Sequence, residues 1–211
     1  MSRHVVCISR LLGAGGDVVG RMVADGLGYR LVDEEIVQQA AASNGVSVEE
    51  LADTERRTKV IDRLTRNLAV AGGAASLMSA GAGTVDLSAG TDPKSLRALI
   101  QKSIHETAER GDVVIVSHAA SYALARRDDV LRVLVTASPE TRAARAAQEL
   151  SLDSKKAARA VADSDAARAG YLKRFYSVGD ELATHYDLAL NSDSLSVELM
   201  SDIVVRAARG Q

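Results

Sequence analysis

The chain is poor in several residue types, and each shortage excludes something. It has one cysteine, Cys7, so no disulfide can form within it and no cysteine-rich metal site can exist. Cys7 lies in an apolar run, which predicts a buried, inert thiol. There is no tryptophan, one phenylalanine (Phe175), and aromatics make up only 3% of the residues. The core must therefore be aliphatic. Stacking platforms for single-stranded nucleic acid are scarce, and a formal net charge of −2 supplies no basic field to hold a polyanion. Nucleic acid is therefore not an expected partner. No apolar run is long enough to span a membrane, and the opening residues MSRHVVCIS enter a strand pattern without a signal-peptide layout. These features predict a cytoplasmic protein.

What the chain does have is 46% hydrophobic residues over 211 positions, enough for one well-cored domain. Five short runs rich in Val, Leu and Ile, at 4–9, 29–32, 113–117, 131–136 and 187–191, read as strands buried on both faces. Segments of helical period alternate with them at 17–27, 94–110, 155–175 and 195–208. Ser138 and Pro139 mark a further helix start. Alternating strands and helices predict an α/β fold, a doubly wound five-stranded parallel sheet flanked by helices. The stretch 34–110 is too long for one crossover and predicts a helical insertion. Within it, 71–92 is rich in Gly, Ala and Ser and reads as a mobile loop. Residues 148–153 read as a hinge in a helical arm.

The first strand runs into Arg10-Leu11-Leu12-Gly13-Ala14-Gly15-Gly16-Asp17 and then a helix. A glycine-rich turn at a helix N-terminus suits phosphate, because backbone amides converge there and the helix dipole adds positive potential. It also suits an ordinary tight turn. Against the pattern G-x-x-x-x-G-K-[ST], Arg10 stands at the first glycine, Gly16 at the lysine, and Asp17 and Val18 follow instead of a hydroxyl residue. Arg10 or Arg21 could supply the missing cation. A dinucleotide-binding unit is the rival reading, with Gly13, Gly15 and, twenty positions on, Asp33 as its ribose acid. Val18 at its third glycine and the long loop before Gly13 count against it.

The strings ISR with GAGG, LVDEEIV, AERGDVVIVSH, VLRVLVTASPETRAAR, DAARAGY and HYDLALNS occur in this order along the chain. Together they resemble the cytidylate kinase-like family, relatives of the P-loop nucleoside-monophosphate kinases. The resemblance implies one P-loop kinase-like domain over 1–211. Its core would cover about 1–35, 110–140 and 160–211, its acceptor-binding insertion about 36–109 and its lid about 141–160. It implies ATP with Mg²⁺ as donor, and a pyrimidine monophosphate or related small molecule as acceptor. Gly13, Ala14, Gly15 and Gly16 would cradle the donor phosphates. Asp33, Asp165 and Arg168 would face the acceptor nucleotide. Arg142 and Arg145, three apart on a helix, would touch phosphates from the lid, or else form a solvated face; Asp165 and Arg168 could equally be a surface ion pair. Arg10 would join the two lid arginines in catalysis. His118 stands, after Ser117, where relatives carry Gly-Arg, and could contact a phosphate or cap a helix. Val116 replaces an Asp, and Val161 an Arg. These departures support a second reading, a nucleotide-binding or regulatory relative with impaired catalysis. No standing metal site is visible. Helix surfaces could support a homodimer.

Overall fold

The computed structural model describes residues 3–33, 36, 38, 93–116 and 119–211. The expected 71–92 loop, His118, and most of the expected insertion lie outside the described residues.

Five strands form one parallel sheet: β1 (Val5–Arg10), β2 (Arg30–Val32), β3 (Val113–Val116), β4 (Val130–Thr136) and β5 (Leu188–Asn191). Their spatial order is β2-β3-β1-β4-β5. β1 is central, pairing through Val5 with Val113 on one side and Val130 on the other. Its side chains alternate between two layers, which is why the run is apolar throughout. Val5 and Cys7 pack with Ile100, Ile104, Ala108 and Leu124. Val6 and Ile8 pack with Val19, Val23, Met200 and Val204. Burial pushes the Cys7 thiol up to about 12, so it stays protonated at neutral pH.

The first layer is built from α2 (Pro93–Glu109) and the short α3 (Ala120–Ala123). The second is built from α1 (Gly16–Leu27) and α6 (Val197–Arg209). α2, which closes the stretch read as an insertion, is thus a layer of the core.

α4 (Pro139–Glu149) and α5 (Ser154–Tyr176) form a helical arm after β4. Ser138 caps α4, its hydroxyl accepting from the Thr141 amide at 3.3 Å, with Pro139 following. The expected hinge is the turn between these helices. Ser151 there takes a left-handed φ of 52°, and Asp153 caps α5 by accepting from the Lys156 amide at 2.8 Å. Ala146, Leu152, Ala157, Ala160 and Val161 seal the two helices together, with Leu12 of the β1–α1 loop packed against them. That contact sets the arm beside the loop. Among the described residues no helix is long and apolar enough to cross a membrane.

Candidate functional site

The β1–α1 loop lies at the carboxyl end of the central strand, where open α/β sheets bind ligands. Gly13 and Gly15 take φ of 76° and 81°, a region that strains any residue with a side chain. Ala14 N–H donates to the Leu11 carbonyl at 3.0 Å, closing the turn. Gly15 caps α1 without a side chain. The first amides of a helix have no intrahelical acceptor, and with the dipole they favour an anion.

Arg10 folds back over this helix start. A Cβ on Gly16 would fall 2.5 Å from the Arg10 Cβ, so only glycine leaves room for that path. Arg10 Nε meets the Asp17 carboxylate, and a terminal nitrogen lies 4.0 Å from Asp33 at the end of β2. A cation, which the loop lacks at Gly16, thus lies beside it at the end of β1, facing two carboxylates. Arg21 is exposed farther along α1.

The two α4 arginines do not form a solvated face. Arg142 is 3% exposed. Its Nε donates to the Ala137 carbonyl at 3.1 Å, and its terminal nitrogens donate to the two Asp165 oxygens at 2.8 and 2.7 Å. Arg145 donates to the Ser192 hydroxyl at 2.7 Å and its carbonyl at 2.8 Å, and approaches the Gly13 carbonyl at 3.4 Å. It thus brings positive charge to the edge of the loop.

Asp165 and Arg168 do not pair with each other. Asp165 turns to Arg142, and Arg168 turns to Glu181, which it meets with Nε at 2.5 Å and with a terminal nitrogen. Tyr186 donates its hydroxyl to the same carboxylate and accepts from Arg168 at 3.2 Å. Burial alone would lower the Arg168 pKa, but the hydrogen bonds and charge of Glu181 outweigh it and raise the pKa, so the guanidinium is permanently charged. Burial likewise raises the pKa of Tyr186 and of Tyr122, keeping both hydroxyls protonated. A cavity of about 110 Å³ opens between the loop and α5, lined by Leu11, Asp165, Arg168, Leu172, Val178 and Glu181. It is smaller than the ~300 Å³ at which small-molecule pockets begin.

Around this network the scarce aromatics gather. Tyr122 lies 5.6 Å from Tyr176, 6.0 Å from Tyr186 and 5.8 Å from His185, and Tyr171 lies 4.9 Å from Phe175. Arg97 of α2 stacks over Tyr176 at 4.6 Å. The Ser9 and Ser121 hydroxyls, 3.2 Å apart, tie the end of β1 to α3 beside it. Sequence reasoning missed Glu181, Tyr186, Tyr122 and Arg97. The rarity of aromatics was a usable signal, since so few rings leave little room for chance clustering. Among the described residues no group of three or more His, Cys, Asp or Glu could hold a metal ion.

The sequence model of the Cytidylate kinase-like family matches residues 5–194. A cytidylate kinase of Archaeoglobus fulgidus is 27% identical over 207 residues, 96% of this chain and 93% of its own. Among solved structures, an uncharacterized protein from Eubacterium ventriosum aligns with a TM-score of 0.69 at 14% identity, covering 99% of this chain and 100% of that one. A shikimate kinase from Bacteroides thetaiotaomicron aligns at 0.53 and 14% identity, covering 96% and 97%. The structural likeness shows a fold of P-loop kinase type, in agreement with the parallel sheet order. The family match takes in all five strands and every helix named above but α6, and the chain belongs to the Cytidylate kinase-like family.

Proposed function

We propose that the protein is a nucleotide-dependent phosphotransferase, with ATP and Mg²⁺ on the donor side and a pyrimidine monophosphate or related small molecule as acceptor. The observation that carries this reading is Arg10 folded across the start of α1, over a loop in which Gly13 and Gly15 hold left-handed conformations. Amides, helix dipole and guanidinium together form a donor set for phosphate oxygens. The residues fit the donor nucleotide on that count. The carboxylates of Asp17 and Asp33, both facing Arg10, fit Mg²⁺, a hard cation that takes oxygen ligands. When bound, Mg²⁺ supplies charge neutralisation on the transferring phosphoryl group.

Phosphoryl transfer asks a protein mainly for position and electrostatic stabilisation. The Gly13, Gly15 and Gly16 amides would orient the donor, and Arg10 would exchange Asp17 for a phosphate oxygen. Arg145 adds charge at the rim. Arg168, held by Glu181, faces the cavity where an acceptor phosphate would arrive once the site opens. The cytidylate kinase name of the archaeal relative supports a pyrimidine monophosphate acceptor.

A second reading rests on the Asp17 carboxylate. It occupies Arg10 and the positive end of α1, which favours a relative that binds nucleotide but transfers slowly. One panel separates the two. ATP with Mg²⁺ is combined with CMP, dCMP, UMP or AMP, and both thermal stabilisation and ADP release are followed. A ligand at ~100 times its dissociation constant stabilises by about 2.7 kcal/mol, a visible shift. Acceptor-dependent ADP release is expected. Stabilisation by ATP with no ADP release for any acceptor would select the second reading, and no nucleotide binding at all would overturn both.

A further inference from the structure

Arg142 is expected from its family position to touch phosphate, yet its surroundings leave it no such freedom. Its side chain is 3% exposed, and all three guanidinium nitrogens donate within the protein, one to Ala137 and two to Asp165. A planar fork closed on a carboxylate is fixed in direction as well as charge. Asp165 itself is 38% exposed and lines the cavity beside α5. The backbone of Arg142 lies against Gly13. A Cβ placed on Gly13, at φ 76°, would fall 2.4 Å from the Arg142 carbonyl oxygen and 3.0 Å from its Cα. One residue thus presses on the phosphate loop with its main chain and holds the cavity wall with its side chain.

The geometry points to Arg142 as a positioning residue that braces Gly13 against Asp165, fixing the spacing between loop and cavity, and that makes no phosphate contact of its own. The inference rests on the reading of 13–16 as the phosphate loop and of the cavity as the acceptor side. It does not rest on which acceptor is used.

The test is a cycle of Arg142→Gln, Asp165→Asn and the double variant in the full chain. Two quantities are read: amide hydrogen exchange along the chain without ligand, and the dissociation constants of Mg·ATP and pyrophosphate. If the pair acts as one brace, each single variant speeds exchange at residues 12–17 relative to the β1 core. The double variant should match either single within about twofold, the usual limit of additivity error. Donor affinity should fall by the same factor in all three. If Arg142→Gln weakens pyrophosphate by about tenfold or more, the scale of one charged hydrogen bond, while Asp165→Asn leaves it unchanged, Arg142 is a phosphate ligand and the inference falls. It also falls if exchange rises evenly over the sheet, the mark of general destabilisation, or does not rise at 12–17. Should Arg142→Gln not fold, Arg142→Lys keeps the charge and loses the fork. Local loosening at 12–17 is then still expected, and its absence overturns the brace. If even the unaltered protein binds neither pyrophosphate nor ATP, the proposed function fails, while the exchange cycle still decides the brace.

Discussion

Of the arginine–carboxylate pairs around the site, Arg10–Asp17 and Arg168–Glu181 differ in surroundings more than in chemistry. Arg10 meets Asp17 at the head of α1, with the two side chains 22% and 50% exposed. Arg168 meets Glu181 under the loop, with the two side chains 7% and 18% exposed and Tyr186 bonded to both. Exposed ion pairs contribute about 0–1 kcal/mol, so water or a phosphate oxygen can replace either member at little cost. A buried pair cannot part without leaving a charge in a medium that solvates it poorly. The pair at the head of α1 is therefore suited to exchange and the pair under the loop to permanence. The same two functional groups become a replaceable contact or a fixed support according to how much water reaches them.

The strongest way to break this contrast is Glu181→Gln. It strands the Arg168 charge and is expected to cost about 3–5 kcal/mol in urea unfolding. A loss below ~1 kcal/mol would place both pairs in the exposed class. Next comes Gly13→Ala. The left-handed backbone alone is expected to cost ~1–3 kcal/mol, and the Arg142 carbonyl stands where the new methyl would go. Denaturation with and without pyrophosphate should show stability and ligand stabilisation falling together. Asp17→Asn should change stability by less than ~1 kcal/mol while tightening pyrophosphate about 2–5-fold, the equivalent of 0.3–1 kcal/mol at a helix N-terminus; calorimetric titration reads it. Weaker binding would mean that Asp17 holds Arg10 in place for the ligand.

The smallest effect is expected at a pair that belongs to neither the loop nor the cavity lining. Asp187 is pushed up by partial burial, but its bonds from the Arg132 side chain and the Arg132 backbone N–H, at 2.8–3.1 Å, prevail and hold its carboxyl below the ordinary range. The folded value lies below the unfolded one of about 3.9. Its stabilisation is therefore complete above that pH and is lost as pH falls through the folded value. Asp187→Asn should be less stable than the parent near neutrality, and the gap should close as pH falls below about 4; unfolding curves at several pH values check it.

The sheet was legible because its signal is local. Apolar runs bounded by Gly, Asp and Ser located all five strands to within a residue or two, and the turn between α4 and α5 showed in the break at 148–153. The glycine loop and Arg10 were legible for the same reason, lying in the eight consecutive residues from Arg10 to Asp17. The pairing of the arginines was not. Asp165 and Arg168 are three apart and share a helix side, but helical spacing says nothing of what stands opposite. Arg142, 23 positions upstream, takes the aspartate, and Glu181, 13 downstream, takes the arginine. Glu181 and Tyr186 lie in irregular chain outside the helices and strands, where no periodicity marks a buried residue. α3 spans only four residues, too short for a helical period to show.

The gathering of the rings has an optical consequence. The chain has no tryptophan and five tyrosines. Tyr122, Tyr171, Tyr176 and Tyr186 belong to the cluster beside Arg168, whereas Tyr29 donates its hydroxyl to the Arg3 carbonyl elsewhere. Four of the five tyrosines that contribute ultraviolet emission and near-ultraviolet dichroism thus sit in one place, with no indole to drain the excitation. The protein carries a native spectroscopic reporter of its own cleft, readable without a label.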